Sequence, residues 1–128
     1  MKKLNFNHLL RELKSIKFAK FDLIVAIGKG GIIPASLIRN ILDIDMEILW
    51  LNLRDANHNI KYLKPKLTKK FTKIKNKKIL LVDDVSRTGN TFQAAKKILK
   101  ENKIKTFVIN GKADYNVMEG DCVKFPWV

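Results

Sequence analysis

The sequence predicts an α/β domain, a mostly parallel twisted sheet with helices on its faces. Three observations point there. Apolar runs of strand length, such as Phe21 to Ile27, are nearly continuous rather than alternating, as in strands buried on both faces. Stretches with helical spacing separate these runs, so strand and helix alternate along the chain. Glycine, hydroxyl and amide residues crowd the turns that leave the strands, the side on which such sheets hold ligands. With 128 residues, no internal repeat and no break in composition, the chain reads as one domain, 1–128.

Residues 4–17 place Phe6, Leu9, Leu10, Leu13 and Ile16 at helical spacing, an amphipathic helix whose apolar stripe belongs to the core. The first strand, Phe21 to Ile27, runs into Gly28-Lys29-Gly30-Gly31, and Ile32 to Ile38 opens a helix. Three glycines around one lysine let the backbone come close to a ligand, although a plain flexible turn is the common alternative. Met46 to Asn52 is a second buried strand. From Leu53 to Lys78 the pattern dissolves into Asn, His and Lys. So long a connection in a small domain is usually a functional lid or disordered, and a short strand is expected around Ile60 to Leu63. His58 within it reads as a surface residue.

The third strand, Ile79 to Val82, leads directly into Asp83 and Asp84 and then Ser86-Arg87-Thr88-Gly89-Asn90-Thr91. A helix carrying Phe92, Ala95, Ile98 and Leu99 follows, to about Asn102. Backbone N–H groups and hydroxyls of Thr88 to Thr91 at a helix start suit a phosphate. Acids repel phosphate, so Asp83 and Asp84 make sense holding sugar hydroxyls or a hard cation such as Mg²⁺. Acid pair and cradle together describe a sugar-phosphate site. Ile104 to Asn110 is a further strand with Gly111-Lys112-Ala113 at its ligand-side end. The tail, Cys122 to Val128, reads by itself as a strand whose Trp127 finishes the core.

The run Ile79 to Thr91 resembles the 5-phosphoribosyl-1-pyrophosphate (PRPP) signature of the type I phosphoribosyltransferases: apolar residues, Asp-Asp, then Thr-Gly-x-Thr. Gly28 to Gly31 resembles the pyrophosphate loop of the 6-oxopurine members, which often carries a cis peptide before its basic residue, here Gly28–Lys29. The chain as a whole most resembles the short xanthine–guanine type. That resemblance implies transfer of phosphoribosyl from PRPP to a nucleobase, releasing pyrophosphate, in nucleotide salvage. Asp83, Asp84 and Lys29 would be catalytic, with Asp84 and Asp83 on Mg²⁺. Arg87, Thr88, Gly89, Asn90 and Thr91 would hold the 5′-phosphate, and Gly28, Lys29, Gly30, Gly31 and Lys61 the pyrophosphate. Arg87, Lys112, Trp127 and Val128 would meet the base, the last two as a minimal C-terminal base-binding tail. A flexible hood over about 53–78, closing on PRPP, and a homodimer are implied by the same analogy. One position departs from the pattern: 6-oxopurine relatives usually have Asp where this chain has Arg87, and arginine is no general base.

The net charge of +14 attracts polyanions of any kind, PRPP included, although a biased Lys-Ile-Asn composition produces the same excess. A transferase for another base, such as orotate, is the second reading. Lysines 61, 64, 66, 69, 70, 73, 75, 77 and 78, interleaved with Tyr62 and Phe71, keep a third open, a PRPP-sensing regulator that binds RNA or DNA. No apolar run approaches the ~20 residues of a spanning helix. The basic start runs into an amphipathic helix rather than a signal-peptide core. Cys122 is the single cysteine, so the expected setting is a reducing cytoplasm.

Overall fold

The computed structural model describes residues 2–52, 66–67 and 69–128. In chain order the elements are β1 (Lys2–Lys3), α1 (Phe6–Ser15), β2 (Leu23–Gly28), α2 (Ile32–Leu42), β3 (Asp45–Asn52) and β4 (Lys66–Leu67). There follow β5 (Lys78–Ser86), α3 (Asn90–Ile98), β6 (Lys103–Gly111), β7 (Tyr115–Met118) and β8 (Val123–Lys124). The main sheet has the order β4-β3-β2-β5-β6-β7, and all pairs are parallel except β3 with β4. β1 and β8 pair separately, tying the tail to the start of the chain.

Strand periodicity explains the layering. Ile24, Ala26, Leu80, Val82, Phe107 and Ile109 face one core with Leu9 and Leu13 of α1 and Ala35 and Ile38 of α2. Their neighbours Val25, Ile27, Ile79, Leu81 and Val108 face the other core with Phe92 and Ala95 of α3 and Leu99 just beyond it. Both faces are covered at the middle of the sheet, which is why Ile24 to Ile27, Ile79 to Val82 and Phe107 to Ile109 are apolar without alternation. Asn5 caps α1, its side chain accepting the N–H groups of Asn7 and His8. Phe6 is the exception on the α1 stripe and remains 42% exposed.

Three expectations need correcting. The third strand does not stop at Val82: β5 continues through both aspartates to Ser86, because β6 keeps pairing with it to Gly111. α3 ends at Ile98 rather than near Asn102. Asn102 instead clamps the preceding segment, donating to the Ile74 and Leu99 carbonyls and accepting the Lys77 N–H. The short strand β7 was missed. It runs parallel to β6 after a very short crossover that parallel strands ordinarily do not allow. Asp114 makes the turn possible: its carboxylate accepts the Thr106 N–H and hydroxyl, and its own N–H donates to that hydroxyl. The short strand expected around Ile60 to Leu63, together with His58, Lys61 and Tyr62, lies outside the described residues.

Candidate active site

β2, β5, β6 and β7 are parallel, so the turns after them all leave from one edge of the sheet. The Gly28–Lys29 peptide is cis. The loop it opens is wedged among its neighbours. A Cβ at Gly28 would lie 2.7 Å from the Trp50 indole, one at Gly30 2.7 Å from the Asp84 carboxylate, and one at Gly31 2.3 Å from the Val82 carbonyl oxygen. At Gly28 and Gly31 a side chain would meet a bulky ring or backbone, and at Gly30 it would displace the Asp84 carboxylate. Gly30 therefore presses backbone directly onto Asp84, bringing together two loops distant in sequence. The Gly31 N–H is already committed to the Ile27 carbonyl, at 2.8 Å. Within Gly28 to Gly31 this leaves Lys29 and Gly30 as the candidate backbone donors, and gives Gly31 a packing role.

Beyond Val82 the ladder between β5 and β2 ends, and carboxylates take over as acceptors. Asp83 Oδ1 accepts the Asp84 N–H and Asp84 Oδ1 accepts the Val85 N–H. Burial, then the adjacent charge of Asp84 and a hydrogen bond with it, push the Asp83 carboxyl well above the usual carboxylate range. Two acids this close resist ionising together, so an arriving cation would be welcomed. Among the described residues no group of three or more His, Cys, Asp or Glu could cage a metal. The pair fits Mg²⁺ in its usual mode, a few carboxylates with substrate oxygens completing the shell.

Gly89 has φ +80° and open space where a side chain would stand. It starts α3 without a side-chain cap, and the nearby Asn90 N–H reaches the Thr88 hydroxyl at 3.3 Å. Thr88 and Asn90 are exposed and Thr91 half-buried, so the turn is open to a ligand.

A cleft of about 220 Å³ lies next to this turn, between the ends of β5, β6 and β7. Val85, Ser86 and Arg87 line it on one side, Asn110, Gly111 and Lys112 on another, and Glu119 and Gly120 close it. The Arg87 guanidinium donates to Cys122 Sγ. Lys112 Nζ stands 4.0 Å from Glu119 Oε1. Beneath them the buried Asn110 accepts the Gly120 N–H and donates to the Asp121 carbonyl, fixing the turn that carries Glu119. Gly111 has φ +137°, and a Cβ there would meet the Ser86 carbonyl oxygen at 2.3 Å, so the strands cross backbone to backbone at the cleft floor.

The structure thus gathers Gly28 to Gly31, Asp83, Asp84, Arg87 to Thr91 and Lys112 along one edge. Trp127 and Val128 are placed differently. The Trp127 ring stacks on Phe125 at 5.2 Å and packs against the core, and Val128 is 75% exposed. Neither lines the cleft. The pairing of β8 with β1 holds the tail there. Of the basic flap, Lys69 rests over the Trp50 ring at 4.3 Å, Lys73 pairs with Glu101 at 3.3 Å, and Phe71 packs against the core. Sequence reasoning missed Glu119. It follows β7, a strand of four residues, too short to announce itself; had that strand been recognised, Glu119 and Gly120 would have stood at its ligand-side end.

Comparison with known proteins identifies the family and the fold. The family model described as phosphoribosyl transferase domain matches residues 3–123. A purine phosphoribosyltransferase from Pyrococcus horikoshii superposes with a TM-score of 0.80 at 26% identity, covering 99% of this chain and 94% of that one. The xanthine-guanine-hypoxanthine phosphoribosyltransferase of Helicobacter pylori shares the fold, with a TM-score of 0.65 at 17% identity, covering 94% of this chain and 82% of that one. A transcriptional regulator of Methanosphaera stadtmanae, GfcR, is 30% identical over 98 residues. That match takes in 73% of this chain, and the chain spans only about half the regulator's length, 46%.

Proposed function

The chain belongs to the phosphoribosyl transferase domain family, and on that premise we propose that it transfers phosphoribosyl from PRPP to a nucleobase, a 6-oxopurine, releasing pyrophosphate. One observation supports the reading above all: Gly30 packed on Asp84, which brings the loop after β2 against an acid near the end of β5, where one activated ribose could reach both.

The 5′-phosphate sits in the turn from Thr88 to Thr91 at the start of α3, where N–H groups and the helix dipole favour an anion. Gripping this remote group orients the sugar without touching the reacting carbon. Asp84 and Asp83 face the ribose hydroxyls and favour positive charge growing on the sugar as the anomeric bond loosens. Asp84, with Asp83 behind it, would also hold Mg²⁺, which supplies charge neutralisation to the leaving pyrophosphate. Lys29 and the N–H groups of Lys29 and Gly30 receive that leaving group, each well-aimed donor contributing on the order of 3 kcal/mol to the transition state. Lys112 and Arg87, in the adjoining cleft, meet the base. A role for Lys61 on pyrophosphate, a base contact from Trp127 or Val128, and a homodimer belong to the same reading by analogy.

The test is a panel of hypoxanthine, guanine, xanthine, adenine and orotate with PRPP and Mg²⁺, following nucleotide formation. Nucleotide from a 6-oxopurine, and none from adenine, is the expected result. No nucleotide from any base defeats the reading.

A second reading has one observation in its favour, the similarity to a protein named a transcriptional regulator. A PRPP-binding regulator that contacts nucleic acid through its lysines would bind RNA or DNA with affinity falling steeply as salt rises. Retention that ignores salt removes it.

A further inference from the structure

Resting on the transferase reading, we infer that the cleft beside Arg87 selects a base that binds as its anion, and that Arg87 is the residue that reads that charge. The cleft's charged side chains are Arg87, Lys112 and Glu119, two cations and one carboxylate. Glu119 stands near Lys112, 4.0 Å away, and so offsets that charge in part. Arg87 is exposed, and the partner the structure gives it is Cys122 Sγ. A guanidinium has five donors and accepts nothing, so one bond to sulfur leaves the rest of its fork for a ligand. Its lining thus carries one net positive charge next to the phosphate turn, and a monoanionic base neutralises it.

The chemistry points the same way. The new bond joins a base nitrogen to the anomeric carbon, while the bond from that carbon to the pyrophosphate oxygen breaks and its electron pair leaves with pyrophosphate. A neutral base must shed a ring proton along this path. Arginine cannot take it. A purine that arrives as its anion needs no acceptor from the protein: the reacting imidazole nitrogen supplies the electron pair, the imidazole proton displaced by the new bond passes to the ring nitrogen that had been deprotonated, and the nucleotide's base is left neutral. Xanthine, whose added oxo group makes a ring N–H acidic near neutral pH, satisfies this demand. Hypoxanthine does not.

The experiment compares kcat/KM for xanthine and hypoxanthine across a pH series in the full chain, in Arg87→Gln and in Arg87→Asp, with orotate as a base that is anionic throughout. Xanthine should exceed hypoxanthine by about tenfold or more and should gain as it ionises. Arg87→Gln should lose at least about tenfold on xanthine with far less change on hypoxanthine, and Arg87→Asp should reverse the preference. Hypoxanthine used as well as xanthine by the parent chain, or Arg87→Gln lowering both equally, overturns charge selection and leaves the transferase standing. Orotate preferred over both upholds charge selection and corrects the purine assignment. No turnover of any base overturns both readings together.

Discussion

The ligand edge of this molecule has two halves built in opposite ways. In the half that the proposed reading gives to the sugar, Gly28 and Gly31 press backbone against Trp50 and Val82, and Gly30 lies on the Asp84 carboxylate. In the half it gives to the base, Arg87 and Lys112 are exposed and Glu119 is roughly half exposed, around an open cleft floored by Gly111. The first half is closed by backbone packing, while the walls of the second carry side chains that can be exchanged. On that reading the shared chemistry would sit where substitution is punished, and base preference where the fold would scarcely notice a change.

The sharpest way to break this contrast is at the contact between the loops. Asp84→Asn, and separately Gly30→Ala, should each lower PRPP-dependent turnover by about 100-fold or more while circular dichroism stays unchanged. Near-parental activity in Gly30→Ala would show that Asp84 does not need the loop against it. Next comes Gly31→Ala, whose methyl group meets a backbone oxygen rather than a yielding side chain. It should destabilise the domain by roughly 1–3 kcal/mol in urea unfolding. A stability loss without that size would mean the β2 turn relaxes easily.

Asp83→Asn sharpens the comparison through pH. The folded chain holds the Asp83 proton to a higher pH than the unfolded chain, whose carboxyl titrates near 3.8. Folding stability is therefore intact below that value and falls as pH rises through the raised folded value. The asparagine variant escapes this loss, so it should melt above the parent at about pH 7 and gain nothing at about pH 3. An equal gain at both would assign the effect to something other than the buried charge. The smallest effect is expected in the base half: Glu119→Gln breaks an exposed pair and should change stability by less than ~1 kcal/mol. A larger loss would make the cleft structural and erase the distinction between the halves.

Much of this was legible in the chain. Leu23 to Gly28 declared itself as a strand because burial on both faces leaves a continuous apolar run, and Asp45 to Asn52 and Lys103 to Gly111 did so through their apolar centres, Ile48 to Leu51 and Phe107 to Ile109. Asp83-Asp84 and Thr88 to Thr91 declared a site because acids and a phosphate cradle side by side have little structural reason to exist. What escaped were features made by contacts across the sheet. The aspartates lie inside β5 because β6 continues beside them. Trp127 packs on Phe125 because β8 pairs with β1, and an aromatic tail looks the same whether it covers a core or a base.

By itself, then, the sequence determined the alternation of strand and helix, the two glycine-bearing turns and the anomaly at Arg87, since these follow from local pattern and side-chain chemistry. Only the tertiary structure decided that Gly30 lies on Asp84 and that Glu119 stands across from Lys112. Those meetings are set by strand order and register, and no short stretch of chain encodes which strand will be its neighbour.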